Sequence, residues 1–236
     1  QAELGRQKDE WRQMIAHDFR SPLTIALGTL RAVEDMGPGH PLAADDLALV
    51  EGGVRNCRRL ESLISAYLDT NRLEAGAMPV HSGSVDIKAL IHGVIDELAP
   101  AASTGGQSLT YSAPTALAAR ADPELLRRAL SNILGNALKF TPSGGRISVD
   151  ASLHENNVLI RVTDDGPGIS AHDLPHIFDR YYQGDNGGRR HGLGLGLTFC
   201  RAAMRAMGGD VTVESEGGQG TVFILRLPSA EKGGSP

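Results

Sequence analysis

Three short stretches of the sequence carry side chains at spacings suited to a phosphate-bearing ligand. In "NILGNALKFT", Asn132, Asn136 and Lys139 stand at i, i+4 and i+7, one continuous helix face. Two carboxamides and an ammonium aligned in this way can offer hard oxygen ligands and a cation to a magnesium–phosphate group. In "DDGPGI", Asp164 closes a strand pattern, and Gly166 and Gly168 follow it. A carboxylate there can accept a hydrogen bond from an exocyclic amine, while glycines let the backbone turn and approach a ligand. In "HGLGLGLTF", Gly192, Gly194 and Gly196 open a helical pattern and leave backbone N–H groups for phosphates. No Lys-Ser or Lys-Thr follows these glycines, so they do not form a P-loop. Taken singly, each stretch also fits ordinary structure: a polar helix end, an Asp/Gly turn, a glycine-rich helix start. A fourth stretch, "HDFRSP", sets His17 beside Asp18 and brings Ser21 and Pro22 one turn later. Alone, His17 reads as a histidine on a polar helix face.

The elements that must position these residues fall into two groups. Residues 3–36 read as one helix, with Ile15, Phe19, Pro22, Ala26, Leu30 and Val33 on one face and Gln13, His17, Arg20, Ser21 and Thr24 on another. A proline in a helix interior costs about 3 kcal/mol, removes an N–H and frees a carbonyl one turn earlier. The helix is therefore expected to bend just after His17, and both a hinge and a tolerated kink fit that bend. "GPGHP" ends the pattern, and a second helix carries Leu47, Val50, Val54, Cys57, Leu60, Ile64 and Tyr67, weakened locally by Gly52 and Gly53. Two such helices form an antiparallel hairpin with uncovered apolar faces. Pairing two hairpins into a dimeric four-helix bundle covers them.

After the linker "TNRLEAGAMPVHSG", short strands alternate with helices. A helix is expected from Val85 to about Ala102, another after the Asp122-Pro123 cap, and a third from about Leu193 to Met207. "SLTYSA", "ALAARA", "GGRISVDASL", "NVLIRVTDD", "DVTVESE" and "GTVFILRLP" read as strands. The fold class is α + α/β, with a hairpin domain over residues 1–72, a linker and first strand over 73–84, an α/β sandwich over 85–229 and a disordered tail over 230–236.

A net charge of −5 over 236 residues gives no footprint for nucleic acid. No apolar run approaches the ~18 residues of a membrane span, and no signal peptide opens the chain. The first residue is Gln1, and "QAELGRQKDEW" reads as the end of a connector helix from an upstream domain. Cys57 and Cys200 lack metal-ligand spacing and read as small buried residues in a reducing compartment.

The order of these motifs, with "IFDRYY" between the second and third and "GGQGTVF" at the end, resembles the ATP-binding domain shared by histidine kinases, gyrase and mismatch-repair ATPases. The resemblance covers about residues 85–228. It implies an α/β sandwich holding ATP under a lid at about residues 169–191. It also implies that Asn136 binds Mg2+ with help from Asn132, that Asp164 reads the adenine amine, and that Lys139 and Arg180 neutralise phosphate charge. Gly192, Gly194 and Gly196 would face the phosphates, and Gly166, Gly168, Ile169, Leu193, Leu195 and Thr221 would complete the nucleotide site.

"HDFRSP" in turn resembles the phosphoacceptor box of sensor histidine kinases. The joint resemblance implies ATP-dependent phosphorylation of His17, with Asp18 taking the proton of the second ring nitrogen. It implies transfer to an aspartate on a response-regulator receiver domain, homodimerisation through the hairpin, and a cytoplasmic portion of a membrane-anchored sensor. No nucleic acid and no direct membrane contact are expected for these residues. Two positions depart from the pattern. Gln183 stands where an arginine is common. Ser21 stands where Thr or Asn orients water for dephosphorylating the partner, which argues against a phosphatase-dominant regulator. An ATPase doing conformational work would not need "HDFRSP", and a degraded scaffold would have lost Asn136, Lys139 or Asp164.

Overall fold

The computed structural model describes residues 22–33, 44–184 and 194–230. They form two compact units that divide within one helix, between Asp69 and Thr70.

In the first unit, helix α1 covers residues 22–33 and α2 runs over Ala44–Glu74. On α1 the buried positions are Pro22, Ala26 and Thr29, whereas Leu30 is 63% exposed. The expected stripe is thus corrected from Leu30 to Thr29. Seven residues return a helix to within about 20° of its starting face, and an eighth carries it away. Gly53 is the buried position that meets this stripe, since a Cβ there would stand 2.8 Å from Thr29 Cγ2. The glycine weakens α2 as a helix but lets the two backbones approach. Leu23, Ile25, Leu27, Leu47, Val54, Ile64 and Leu68 remain exposed in the single chain. So does Cys57, against the expectation of burial. The bend expected after His17 and the loop "GPGHP" lie outside the described residues.

In the second unit, β1 (Gly83–Asp86) is followed by α3 (Ile87–Gly105), β2 (Ser108–Ser112), β3 (Ala118–Ala121) and α4 (Pro123–Phe140). Then come β4 (Arg146–His154), β5 (Asn157–Asp164), α5 (Gly196–Ala206), β6 (Asp210–Ser215) and β7 (Thr221–Pro228). Val85 belongs to β1, not to the helix expected from it, because Asp86 caps α3 by accepting the Ala89 N–H at 3.0 Å. The main sheet has the order β2-β4-β5-β7-β6. β2 joins β4 in parallel, and every other pair in it is antiparallel. β1 and β3 form a separate antiparallel ribbon.

Alternation along β4, β5 and β7 sends Ile147, Val149, Val158, Ile160, Val162, Phe223, Leu225 and Leu227 to one face. Ile87 and Ile91 of α3, Leu126, Leu130, Ile133 and Leu134 of α4, and Phe199 and Met204 of α5 join them in one core. The result is one helical layer on one sheet. At the end of the chain, the Ala230 N–H donates to the Ala118 carbonyl at 3.0 Å, so Ala230 is held by β3. The remainder of the expected disordered tail lies outside the described residues.

Asp122 does two jobs in this unit. One carboxylate oxygen caps α4 by accepting the Glu124 and Leu125 N–H groups at 3.0 and 3.2 Å. The other accepts the His81 N–H at 2.8 Å, tying the linker after α2 to the start of α4. Asp122→Ala is expected to lower stability by about 2 kcal/mol, a lost cap plus a lost linker bond, read as a fall in the urea-unfolding midpoint.

Candidate nucleotide site

β5 ends at Asp164, directly opposite Thr221 at the start of β7, and both side chains are buried. The Asp164 carboxylate accepts the Gly166 N–H at 2.8 Å. Burial pushes its pKa above the usual carboxylate range, the Gly166 N–H opposes that shift, and the neighbouring charge of Asp165 adds to it. Gly168 then takes φ +70°, and a Cβ on it would run into the Glu216 backbone carbonyl. Only glycine serves there, and the turn it permits delivers the Ile169 N–H to the Ser215 hydroxyl at 2.9 Å.

α4 passes beside this turn. A Cβ on Gly166 would stand 3.6 Å from the Phe140 carbonyl, so the Asp164 turn lies at the C-terminal end of α4. Lys139, in the last turn of α4, holds its ammonium 4.4 Å from the centre of the Phe140 ring, and burial lowers its pKa. Two turns earlier, Asn132 faces the first turn of α5. Its carboxamide stands 3.8 Å from where a Gly196 Cβ would be. Asn136 lies between them, half-buried. The stretch from Asn132 to Phe140 is about 12 Å of helix, with the carboxylate turn at one end and the glycine-rich helix start near the other.

The α5 end is built tightly. Gly194 takes φ +63°, and a Cβ there would stand 2.6 Å from the Tyr181 carbonyl carbon. The Tyr181 N–H donates to the Gly194 carbonyl at 3.1 Å. Leu195, at the N-cap position of α5, is buried. Cys200 donates its S–H to the Ala129 carbonyl at 3.3 Å, and burial pushes its thiol pKa up to about 12, which makes it an inert link between α4 and α5. Phe178 and Tyr181 are buried, and Tyr182 donates to Asp173 at 2.6 Å. The "IFDRYY" part of the expected lid is therefore packed down.

The structure thus brings Asp164, Gly166, Gly168, Ile169 and Thr221 together at one end of α4, and Asn132 and Gly196 toward the other. Arg180 points elsewhere: its guanidinium donates to the Asn71 side chain at 3.0 Å and pairs with Glu74 at the end of α2. His17, Asp18, Ser21, Gly192 and Leu193 lie outside the described residues, as do Arg189 and Arg190. Ser215 is not singled out by sequence reasoning. Its only signal is the β6–β7 register, which sets it opposite Thr221.

Comparison with known proteins matches residues 121–231 to the histidine kinase-, DNA gyrase B- and HSP90-like ATPase family. Residues 7–76 match the His Kinase A (phospho-acceptor) domain. The adaptive-response sensory kinase SasA of Synechococcus sp. (strain JA-2-3B'a(2-13)) is 34% identical over 94% of this chain and 59% of its own length. The signal transduction histidine-protein kinase AfsQ2 of Streptomyces coelicolor is 32% identical over 100% of this chain and 46% of its own. The chain thus spans about half the length of the curated relatives it matches. Among solved structures, full-length ShkA in complex with AMPPNP superposes with a TM-score of 0.71 at 33% identity, over 95% of this chain and 46% of that one. The histidine kinase AdeS of Acinetobacter baumannii shares the fold, with a TM-score of 0.72 at 18% identity over 91% of this chain and 98% of that one. Among the described residues, no helix is long and apolar enough to cross a membrane.

Proposed function

This chain belongs to the sensor histidine kinases, and from that membership we propose that it moves the γ-phosphoryl group of ATP to its own His17 and then to an aspartate of a response-regulator receiver domain. The observation that carries the reading is the coexistence of two features in one chain. One is "HDFRSP" within the phosphoacceptor match; the other is a buried carboxylate in a glycine turn beside an Asn/Lys helix.

The donor set fits Mg2+. Asn132 and Asn136 bring neutral carboxamide oxygens on one face of α4, the hard ligands that this ion takes alongside retained waters. When bound, the ion supplies positive charge to the phosphate oxygens. The chain's own residues do the rest. Asp164 accepts from the adenine amine, and Lys139 adds an ammonium near the phosphates. The N–H groups at the start of α5, after Gly194 and Gly196, serve as further donors to the same anion. Arg180 serves a phosphate only after leaving Glu74.

His17 attacks through a ring nitrogen that keeps its lone pair at neutral pH, because an imidazole titrates at about 6.5. A nitrogen–phosphorus bond forms, the phosphoanhydride bond from the γ-phosphorus to the β–γ bridging oxygen breaks, and ADP leaves with its electron pair. Asp18 takes up the proton of the other ring nitrogen. The exposed leucines and isoleucines of α1 and α2 form the face on which a second copy completes the bundle.

Incubating the protein with γ-labelled ATP and Mg2+ tests the proposal. The wild type is expected to take up label that is lost in acid and kept in base, and His17→Gln is expected to take up none. Label that persists in His17→Gln, or that survives acid, would overturn it.

A further inference from the structure

Ser215 ends β6 and stands opposite Thr221. Its hydroxyl makes three contacts. It accepts the Ile169 N–H at 2.9 Å, donates to the Gly220 carbonyl at 2.7 Å, and lies 3.2 Å from Thr221 Oγ1. A serine hydroxyl carries one proton and two lone pairs. The carbonyl of Gly220 can only accept, so the proton goes there, over the shortest of the three contacts. One lone pair takes the Ile169 N–H. The remaining lone pair can meet Thr221 only by accepting its proton.

We infer that Ser215 fixes the polarity of Thr221 and, through it, the base selectivity of the nucleotide site. With its O–H given to Ser215, Thr221 keeps its oxygen as an acceptor beside the Asp164 carboxylate, its cross-strand neighbour. Two acceptors side by side suit an edge that donates. Adenine presents its exocyclic amine there, while guanine presents a carbonyl oxygen that two acceptors repel. Ser215 also anchors Ile169, the residue after the Gly168 turn, so the same hydroxyl sets both the turn and the hydrogen direction. Ser215 is a positioning residue. It touches no reacting atom and acts through Thr221 and Ile169. The inference rests on the reading of Asp164 as the adenine acceptor.

Dissociation constants for ATP and for GTP, each with Mg2+, measured on the whole chain by titration calorimetry, test it. The wild type is expected to prefer ATP. Ser215→Ala is expected to reduce that preference by about fivefold to tenfold, the scale of one hydrogen bond redirected, because Thr221 then rotates freely and can donate. Ser215→Thr retains a hydroxyl and is expected to retain the preference. Thr221→Val removes the acceptor while leaving Ser215, and is expected to lower the preference as Ser215→Ala does, which keeps the test decisive if Ser215→Ala does not fold. A merely structural role for Ser215 would weaken both nucleotides equally and leave their ratio unchanged. An unchanged ratio in Ser215→Ala, or in Thr221→Val, overturns the inference. A wild type that binds ATP and GTP equally would instead overturn the adenine reading of Asp164 on which it rests.

Discussion

Replacing Asp164 with asparagine is expected to weaken ATP binding by about 10- to 100-fold and, at the same time, to raise the thermal unfolding midpoint. The binding loss follows from removing a charged acceptor, whose hydrogen bond is worth about 1.5–3 kcal/mol. The gain in stability follows from the direction of the pKa shift. Burial raises the folded-state pKa of Asp164, so ionisation costs the folded protein more than the unfolded chain. That cost is fully present at neutral pH, above the folded pKa. It fades as pH falls through the folded value toward the ordinary carboxylate range, and is gone below the unfolded value. Asparagine has no such cost, and its carboxamide oxygen can still accept the Gly166 N–H. Calorimetric melting of the two proteins between pH 7 and pH 4 should show the widest gap at pH 7, closing as the pH falls. A variant less stable than the wild type at pH 7 would contradict this account.

Gly168→Ala is expected to be among the most damaging single-methyl changes in the site, costing about 3 kcal/mol or more and abolishing nucleotide binding. The backbone at φ +70° already disfavours alanine, and the new Cβ would meet a backbone carbonyl, that of Glu216, which cannot swing aside as a side chain could. The displaced turn would pull Ile169 from Ser215 and Gly166 from Asp164. Gly217→Ala is the matched control. Its Cβ would meet nothing within 4 Å, and its stability is expected to stay within about 0.5 kcal/mol of the wild type. Urea unfolding and ATP titration of both variants check the contrast.

Much of the fold was legible because its cues are local. Asp122-Pro123 announces the start of α4, and the alternation in "RISVDAS" and "NVLIRVTD" announces β4 and β5. Where cues compete, sequence reasoning misplaces an element. Val85 and Asp86 sit before an amphipathic helix, but Val85, in β1, pairs with Ala119 of β3, and that long-range pairing keeps it out of the helix, which starts at Ile87. Leu30 is more apolar than Thr29, yet Thr29 faces α2 because Gly53 leaves room for it. Within the site, Asp164 and its glycines announce themselves by type and spacing. Ser215 is a common residue in a strand, and only the β6–β7 register shows that it meets Thr221. Arg180 has the charge expected of a phosphate partner, but Glu74 and Asn71, more than a hundred positions earlier, hold it.

The parallel pairing of β2 with β4 has a consequence for how the protein is made. β2 and its partner β4 are separated in the chain by β3 and α4, so β2 finds that partner only after both have been completed. During synthesis β2 must wait, its backbone groups unpaired, until Arg146–Asp150 have emerged. The helix that carries Asn132, Asn136 and Lys139 lies within the loop this pairing closes. Gln107, at the entrance to β2, donates to the Leu138 and Thr141 carbonyls at 2.8 and 2.5 Å. The nascent chain therefore cannot finish the edge of its sheet before it has laid down α4, the helix proposed to face the phosphates, and the two are secured in the same step.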